Sequence, residues 1–273
     1  MFVVCDLPMQ LSAPIALGFT AEVYAWKDGQ VLKLFNQGIS QSTVESEANL
    51  TRIVCATGLP VPAVGEIIEI DGRFGLEYER VDGITMAQAF MRKPWKFPVF
   101  ARQLAELQVD MHKRSLPELP SQRERYARKI NRAGLLPEDL RQAALKALEL
   151  LPEDDKLCHG DFHPNNILLT SHGPVIIDWI DASRGSPIMD VARSTLLFGG
   201  GPLPPGTPAA WLVKILRRMF YQIYLKRYLQ LNPVDRQQLS NWIPVAAAAR
   251  LDENIIADEV RLLSIAQTLI RIE

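Results

Sequence analysis

The run Cys158-His159-Gly160-Asp161-Phe162-His163-Pro164-Asn165-Asn166-Ile167-Leu168-Leu169, followed by Val175-Ile176-Ile177-Asp178-Trp179, decides the fold. Pro164 forbids a continuous regular element through the first part, so Asp161 and Asn166 belong to a loop. Ile167-Leu168-Leu169 and Val175-Ile176-Ile177 are short apolar runs on either side of the turn-forming cluster Thr170-Ser171-His172-Gly173-Pro174, and they read as the strands of a hairpin. Antiparallel pairing sets the start of the first strand beside the end of the second. Asp161, Asn166 and Asp178 are therefore expected to converge, giving two carboxylates and an amide, the hard oxygen set that Mg²⁺ takes.

His159-Gly160-Asp161, the spacing from Asp161 to Asn166, and Ile177-Asp178-Trp179 resemble the catalytic and metal loops of the aminoglycoside phosphotransferase/choline kinase-like family, small-molecule kinases built on the protein-kinase fold. The resemblance implies an α+β, protein-kinase-like fold of two lobes. The N-lobe, residues 1–81, is a five-stranded antiparallel sheet with one helix, and the C-lobe, residues 82–273, is mainly α-helical. The implied reaction moves the γ-phosphate of ATP, with Mg²⁺, to a small-molecule hydroxyl. Asp161 is the implied catalytic base, and Asn166 and Asp178 are the implied metal ligands. The chain departs from the family's habit at Asn165, often glycine, and Ser186, often aspartate; neither position carries chemistry.

The N-terminal third supplies the nucleotide side. Residues 14–17, 21–26 and 31–35 read as strands, with Asp28-Gly29 a strong hairpin signal. Gly18 interrupts the first two, and a glycine lets backbone approach an anion closely. By the resemblance, the Gly18 loop covers the nucleotide phosphates and the Thr20 hydroxyl adds a contact. Lys33 stands inside the apolar strand Val31-Leu32-Lys33-Leu34-Phe35, where a lysine is costly unless it is paired or lines a cleft. The resemblance makes it the lysine of the α- and β-phosphates.

That lysine needs a glutamate, and Glu45 and Glu47 are both at hand. Ser42-Thr43-Val44-Glu45 fits a capping box, so a helix is expected from near Thr43 to Thr57, with Glu45 at its cap and Gly58 as its stop. At about 100° per residue, Val44, Leu50, Thr51 and Val54 fall on the same face as Glu47, while Glu45 falls opposite. Glu47 is the expected partner of Lys33. Two further strands, 66–70 and 74–80, are joined by Asp71-Gly72. The stretch from Leu76 to Gly83 then resembles the family's hinge. By position, the Glu79 carbonyl and the Val81 amide take the adenine edge.

From Thr85 onward the pattern is helical. His112 and Asp190 are expected to be structural, Asp190 buried at a helix start and accepting backbone amides of the catalytic loop. Asp181 either stands behind the metal ligands, lines the substrate cleft, or caps a turn. Trp211, Tyr221, Tyr224 and Trp242 with Asp252 and Glu253 could suit a cationic acceptor, but read better as core and surface. The turn-rich stretch Gly199-Gly200-Gly201-Pro202-Leu203-Pro204-Pro205-Gly206 could border the acceptor pocket.

Composition narrows the classes. The chain has 273 residues, 48% hydrophobic, and a net charge of −1. Near-neutral charge argues against a nucleic-acid partner held by bulk electrostatics. No apolar run approaches the roughly 18 residues that span a bilayer, so no membrane partner is expected. The N-terminus lacks a signal-peptide pattern. Cys5, Cys55 and Cys158 form neither a metal spacing nor a disulfide framework and suit a reducing cytoplasm.

Two other readings stay open. Against a protein kinase stand His163, where protein kinases usually carry lysine, and the lack of a long activation segment between Asp178 and Asp190. A nucleotide-binding scaffold without turnover needs a defect in the polar site groups, and these are intact.

Overall fold

The computed structural model describes residues 3–4, 11–18, 20–198, 203 and 206–272. By its internal contacts the chain forms two compact units, Met1–Thr85 with Asn166–Asp181, and Met86–Asn165 with Ala182–Glu273.

The first unit is built on a six-stranded sheet of β1 (Val3–Val4), β2 (Ala16–Leu17), β3 (Ala21–Ala25), β4 (Gln30–Phe35), β5 (Val64–Ile70) and β6 (Arg73–Glu79), in the order β1-β5-β6-β4-β3-β2. Strands β2 to β6 pair antiparallel, as expected, and β1 adds to β5 in parallel. The β5–β6 turn places Asp71 and Gly72 at φ 51° and 71°. Two consecutive positive φ values are what a tight two-residue hairpin turn demands, and Asp-Gly supplies them at low strain.

Period-2 alternation in β4 explains the core. Leu32 and Leu34 turn to one face with Tyr24 and Ile68, while Phe35 joins Ala21, Leu76 and the helix residues Val44 and Ala48 on the other. Truncating a fully buried leucine such as Leu76 to alanine costs about 2–5 kcal/mol. Lys33 shares the Phe35 parity and so is carried on the helix side of the sheet.

That helix, α1 (Gln41–Cys55), buries Val44, Glu47, Ala48, Leu50, Thr51 and Val54. The face deduced from helical phase is the face that is buried. Its N-terminus differs from the expected one. Ser40 is the N-cap, its hydroxyl accepting from the Thr43 amide, and Glu45 instead accepts from the Gln41 side chain at 2.9 Å. The helix therefore starts before the box formed by residues 42–45. It ends at Cys55, two residues before Thr57, and Gly58 follows with φ 75°.

A three-stranded sheet completes the unit: β7 (Ile84–Thr85) pairs with β9 (Ile167–Thr170), and β9 with β10 (Gly173–Ile176), all antiparallel. The expected hairpin is present, with Ile167 opposite Ile176 and Thr170 opposite Gly173. Because β7 pairs with β9, Asn166–Asp181 groups with the N-terminal residues, and the division falls after Thr85 rather than after residue 81.

The second unit is mainly helical. It contains α2 (Met86–Arg92), α3 (Phe97–His112), α4 (Gln122–Arg132), α5 (Glu138–Leu150), α6 (Pro187–Phe198), α7 (Ala210–Leu231), α8 (Arg236–Arg250) and α9 (Glu259–Ala266). A small antiparallel pair, β8 (Lys156–Cys158) with β11 (Ser183–Gly185), leads into the loop that begins at His159. The run 245–249 of α8 is fully buried, which its small apolar side chains permit. Most of the turn-rich loop, residues 199–202, 204 and 205, lies outside the described residues. Among the described residues no helix is long and apolar enough to cross a membrane.

Candidate active site

In the first unit Lys33 Nζ donates to Glu47 Oε1 at 2.7 Å and to Asp178 Oδ1 at 2.9 Å. Each element contributes for a local reason: strand alternation aims Lys33 at the helix side, and helical phase turns Glu47 inward. Burial works against the Lys33 charge, but Asp178 and Glu47 outweigh it and hold the ammonium above its ordinary range. Tyr78 also donates to Glu47 Oε1, at 2.7 Å. Burial, reinforced by the Glu47 charge, pushes the phenol well above its usual value, so it stays a donor.

Asp178 lies two residues beyond β10 at φ 67°, a left-handed position that aspartate tolerates better than most residues. Asn166 immediately precedes β9, and the Ile177 amide donates to its carbonyl at 3.0 Å. The hairpin thus draws the backbones at its two ends together, as the sequence indicated. The side chains offer one carboxylate and one amide oxygen, donors suited to a hard cation. Among the described residues no group of three or more His, Cys, Asp or Glu stands at metal-binding distance. Phosphate oxygens and water would have to complete a Mg²⁺ shell there.

Gly18, Thr20, Glu79 and Val81, expected from the resemblance to meet the nucleotide, lie at strand ends and turns of the sheet. Gly18 donates its amide to Ala21 O at 2.8 Å, closing the turn between β2 and β3. A Cβ on Gly18 would stand 3.1 Å from that same oxygen, so the turn is tight enough to favour glycine. Thr20 is exposed, and its carbonyl accepts from the Asn36 amide at 2.8 Å. Glu79 ends β6 with its amide bonded to Ala63 O, and Val81 follows half-buried before β7.

Asp161 belongs to the second unit, on a loop anchored from beneath. Gly160, at φ 80°, donates its amide to Asp190 Oδ1 at 2.7 Å. Asp190 Oδ2 accepts from His112 Nε2 at 3.1 Å and Gln108 Nε2 at 3.0 Å. Burial opposes the charge of Asp190, and the His112 hydrogen bond leads the groups that nonetheless keep its carboxyl below the usual range. His112 Nδ1 meets the Tyr228 hydroxyl at 2.8 Å, tying α3 to α7. His112 and Asp190 are thus placed as scaffold, as expected.

Both oxygens of Asp161 are engaged. Arg193 Nη2 donates to Oδ1 at 3.0 Å, and His163 Nε2 stands 3.1 Å from Oδ2. With His163 Nδ1 accepting from the Asn165 amide, Nε2 carries the hydrogen given to Asp161. Burial disfavours the Asp161 anion, yet the His163 hydrogen bond and the Arg193 charge more than compensate and hold the carboxyl far below the ordinary carboxylate range. Arg193 Nη1 reaches Glu253 Oε1 at 2.5 Å.

Arg193, Glu253 and Tyr78 are contacts the sequence reading missed or left unassigned. Arg193 had a signal: it is the lone cation in α6, a helix almost wholly buried. Asp252 pairs with Arg132 at 2.7 Å and Glu253 with Arg193, so neither acid is left to receive a cation. Tyr224 and Trp242 are core, Tyr221 is half-buried, and Trp211 is exposed.

A family model described as the APH phosphotransferase enzyme family matches residues 12–238. The chain belongs to this family. The phosphotransferase shares its fold with an aminoglycoside phosphotransferase APH(4)-Ia thermostable mutant in its apo form, at TM-score 0.65 and 16% identity over 96% of this chain and 94% of that one. It is similarly related to an aminoglycoside-3'-phosphotransferase of type VIII, at TM-score 0.61 and 19% identity over 86% and 90%. A third such structure is the streptomycin–ATP ternary complex of APH(2'')-IIa, at TM-score 0.58 and 15% identity over 95% and 91%. No curated protein matches the chain. The phosphotransferase is thus an α+β, kinase-like enzyme of the small-molecule class, as its catalytic and metal loops suggested.

Proposed function

We propose that the phosphotransferase moves the γ-phosphoryl group of ATP to a hydroxyl of a small molecule. The observation that carries this is Lys33, a half-buried ammonium of the first unit held between Glu47 and Asp178. An ammonium fixed in this way is a ready point contact for the α- and β-phosphates, and the streptomycin complex of the related APH(2'')-IIa contains ATP. The Gly18 turn and the Thr20 hydroxyl cover the phosphates, and the Glu79 carbonyl and Val81 amide hold the adenine edge. Asn166 and Asp178 would hold Mg²⁺, which when bound neutralises charge on the phosphate oxygens.

Asp161 accepts the acceptor hydroxyl. The hydroxyl oxygen forms a bond to the γ-phosphorus as the bond to the β-phosphate oxygen breaks, ADP leaves, and the proton passes to Asp161. A carboxylate this acidic is a weak base in the ground state, so its first task is orientation, and proton transfer comes late, as the hydroxyl acidifies. Cys55 and Cys158 are free thiols, in keeping with a reducing, cytoplasmic setting.

The test is ADP formation by purified protein with ATP, Mg²⁺ and a panel of hydroxyl compounds, comparing wild type with Asp161→Asn. The expected result is near-abolished turnover with ATP binding retained in the variant. Turnover at the wild-type rate in Asp161→Asn refutes the role, and nucleotide binding without ADP formation on any acceptor points to a scaffold.

A further inference from the structure

Within the second unit lies a small open cleft, with room for about one water-sized group, lined by Tyr126, Lys129, Arg193, Ala246, Ala249 and Arg250. Three of its six lining residues are cations, and none is an acid. Its origin is local: Tyr126 and Lys129 are one turn apart on α4, Ala246 and Arg250 one turn apart on α8, and the alanines leave the room that larger side chains would fill.

Two of the cations are more than nine-tenths buried, Arg193 at 6% and Arg250 at 7% exposure. Arg193 Nε and Arg250 Nε and Nη1 are buried without a hydrogen-bond partner. The nearby acids are shared among several cations. Glu253 is taken by Arg193 at 2.5 Å, and Asp258 by Arg261 at 2.6 and 2.8 Å. Arg250 Nε is left at 3.4 Å from Glu253 and 3.7 Å from Asp258. Burial, with the Arg193 charge beside it, lowers the Arg250 guanidinium from its ordinary value, although Glu253 and Asp258 act the other way. A buried charge without a hydrogen-bonded counter-charge is costly, and a bound anion removes that cost.

We infer that this cleft is an oxyanion subsite and that the acceptor is a compact hydroxyl compound carrying a carboxylate or phosphate. The inference rests on the phosphotransfer reading in one respect, that Asp161 receives the acceptor hydroxyl. Arg193 links the two functions: Nη2 holds Asp161, and the same residue lines the cleft with its Nε buried and without a hydrogen-bond partner. The anion and the reacting hydroxyl are thus about one guanidinium apart, which sets the size of the molecule. A polycationic acceptor would meet three cations here, and like-charge juxtaposition opposes binding.

Two measurements test the subsite. Wild type, Arg250→Gln and Lys129→Gln are each titrated with inorganic phosphate at constant ionic strength while the melting temperature is followed. The expected result is a saturable rise in wild type, with the midpoint moved about tenfold or more to higher phosphate in both variants, as loss of a charge-assisted hydrogen bond does. Lys129 is half-exposed, so its variant tests the site even where Arg250→Gln fails to fold. An equal rise in all three proteins, or none in wild type, overturns the subsite.

In the second measurement, ADP formation is compared among hydroxy acids, polyol phosphates, their neutral amide or alcohol analogues, and aminoglycosides. The anionic acceptors are expected to lead by about tenfold or more in kcat/KM, with the Arg250→Gln defect falling on KM. Which anionic series is faster separates carboxylate from phosphate. Equal or faster turnover of neutral or cationic acceptors overturns the acceptor class. No ADP from any acceptor defeats the phosphotransfer reading instead, and the titration alone then decides the subsite.

Discussion

Arg193 and Asp161 form a part-buried ion pair in which Nη2 donates to Oδ1 at 3.0 Å, and Arg193 is only 6% exposed. With His163 on the other oxygen, the carboxyl is locked as an anion before any acceptor arrives. An oriented, permanently ionised carboxylate suits a reaction whose catalysis is mostly positioning and electrostatics.

The pairing fixes how stability depends on pH. Because the folded value of Asp161 is depressed, its ionised form contributes stability above the unfolded value of about 3.9, and that contribution is lost as pH falls through the folded value. Asp161→Asn lacks it at every pH. The stability gap between wild type and Asp161→Asn, measured by urea unfolding, is expected to be flat from neutral pH to about pH 5 and to shrink below about pH 4. A gap that stays flat or widens down to about pH 3 contradicts an anion stabilised by Arg193 and His163.

Glu47 and Glu45 lie two residues apart on α1 and should behave differently. Glu47 is fully buried and accepts from both Lys33 and Tyr78, whereas Glu45 is half-buried and bonds Gln41. Glu47→Gln weakens a charge-assisted bond of about 1.5–3 kcal/mol, which corresponds to about ten- to a hundredfold in turnover. Glu45→Gln is expected to change turnover little and stability by no more than about 0.5 kcal/mol. Steady-state kinetics with ATP check both, and equal losses would remove Glu47 from the Lys33 role.

Much of this arrangement was legible because it is set by short-range periodicity. Alternation in Val31-Leu32-Lys33-Leu34-Phe35 put Lys33 on one face, helical phase chose Glu47 over Glu45, and the apolar runs on either side of residues 171–172 fixed the hairpin. The helix start was misjudged because two hydroxyl residues compete for it. Ser40 wins, and helix begins directly after the turn in which Ile39 donates to Asn36 O. The Arg193–Asp161–Glu253 contacts were out of reach for a different reason. Arg193 comes from α6, Arg250 from α8 and Lys129 from α4, and no local pattern tells which faces of three sequence-distant helices meet.

Asp190 provides a last test, one that separates anchoring from chemistry. Its two oxygens receive three donors, the Gly160 amide, His112 Nε2 and Gln108 Nε2, in a site of zero exposure. Asp190→Asn keeps the shape but replaces one acceptor by an NH₂ donor, so at least one of the three donors faces another donor. Leaving one buried donor unsatisfied costs about 1–3 kcal/mol, to be read by urea unfolding. The catalytic loop loses its tie at Gly160, so turnover should fall as well, but the two effects run together only here. Under the proposed reaction Asp161→Asn is expected to abolish turnover by removing the group that meets the hydroxyl, whereas Asp190→Asn is expected to leave a slow enzyme whose rate recovers in part when the fold is stabilised, for instance by a protecting osmolyte. An Asp190→Asn protein of unaltered stability and wild-type rate would show that the loop is held by other means.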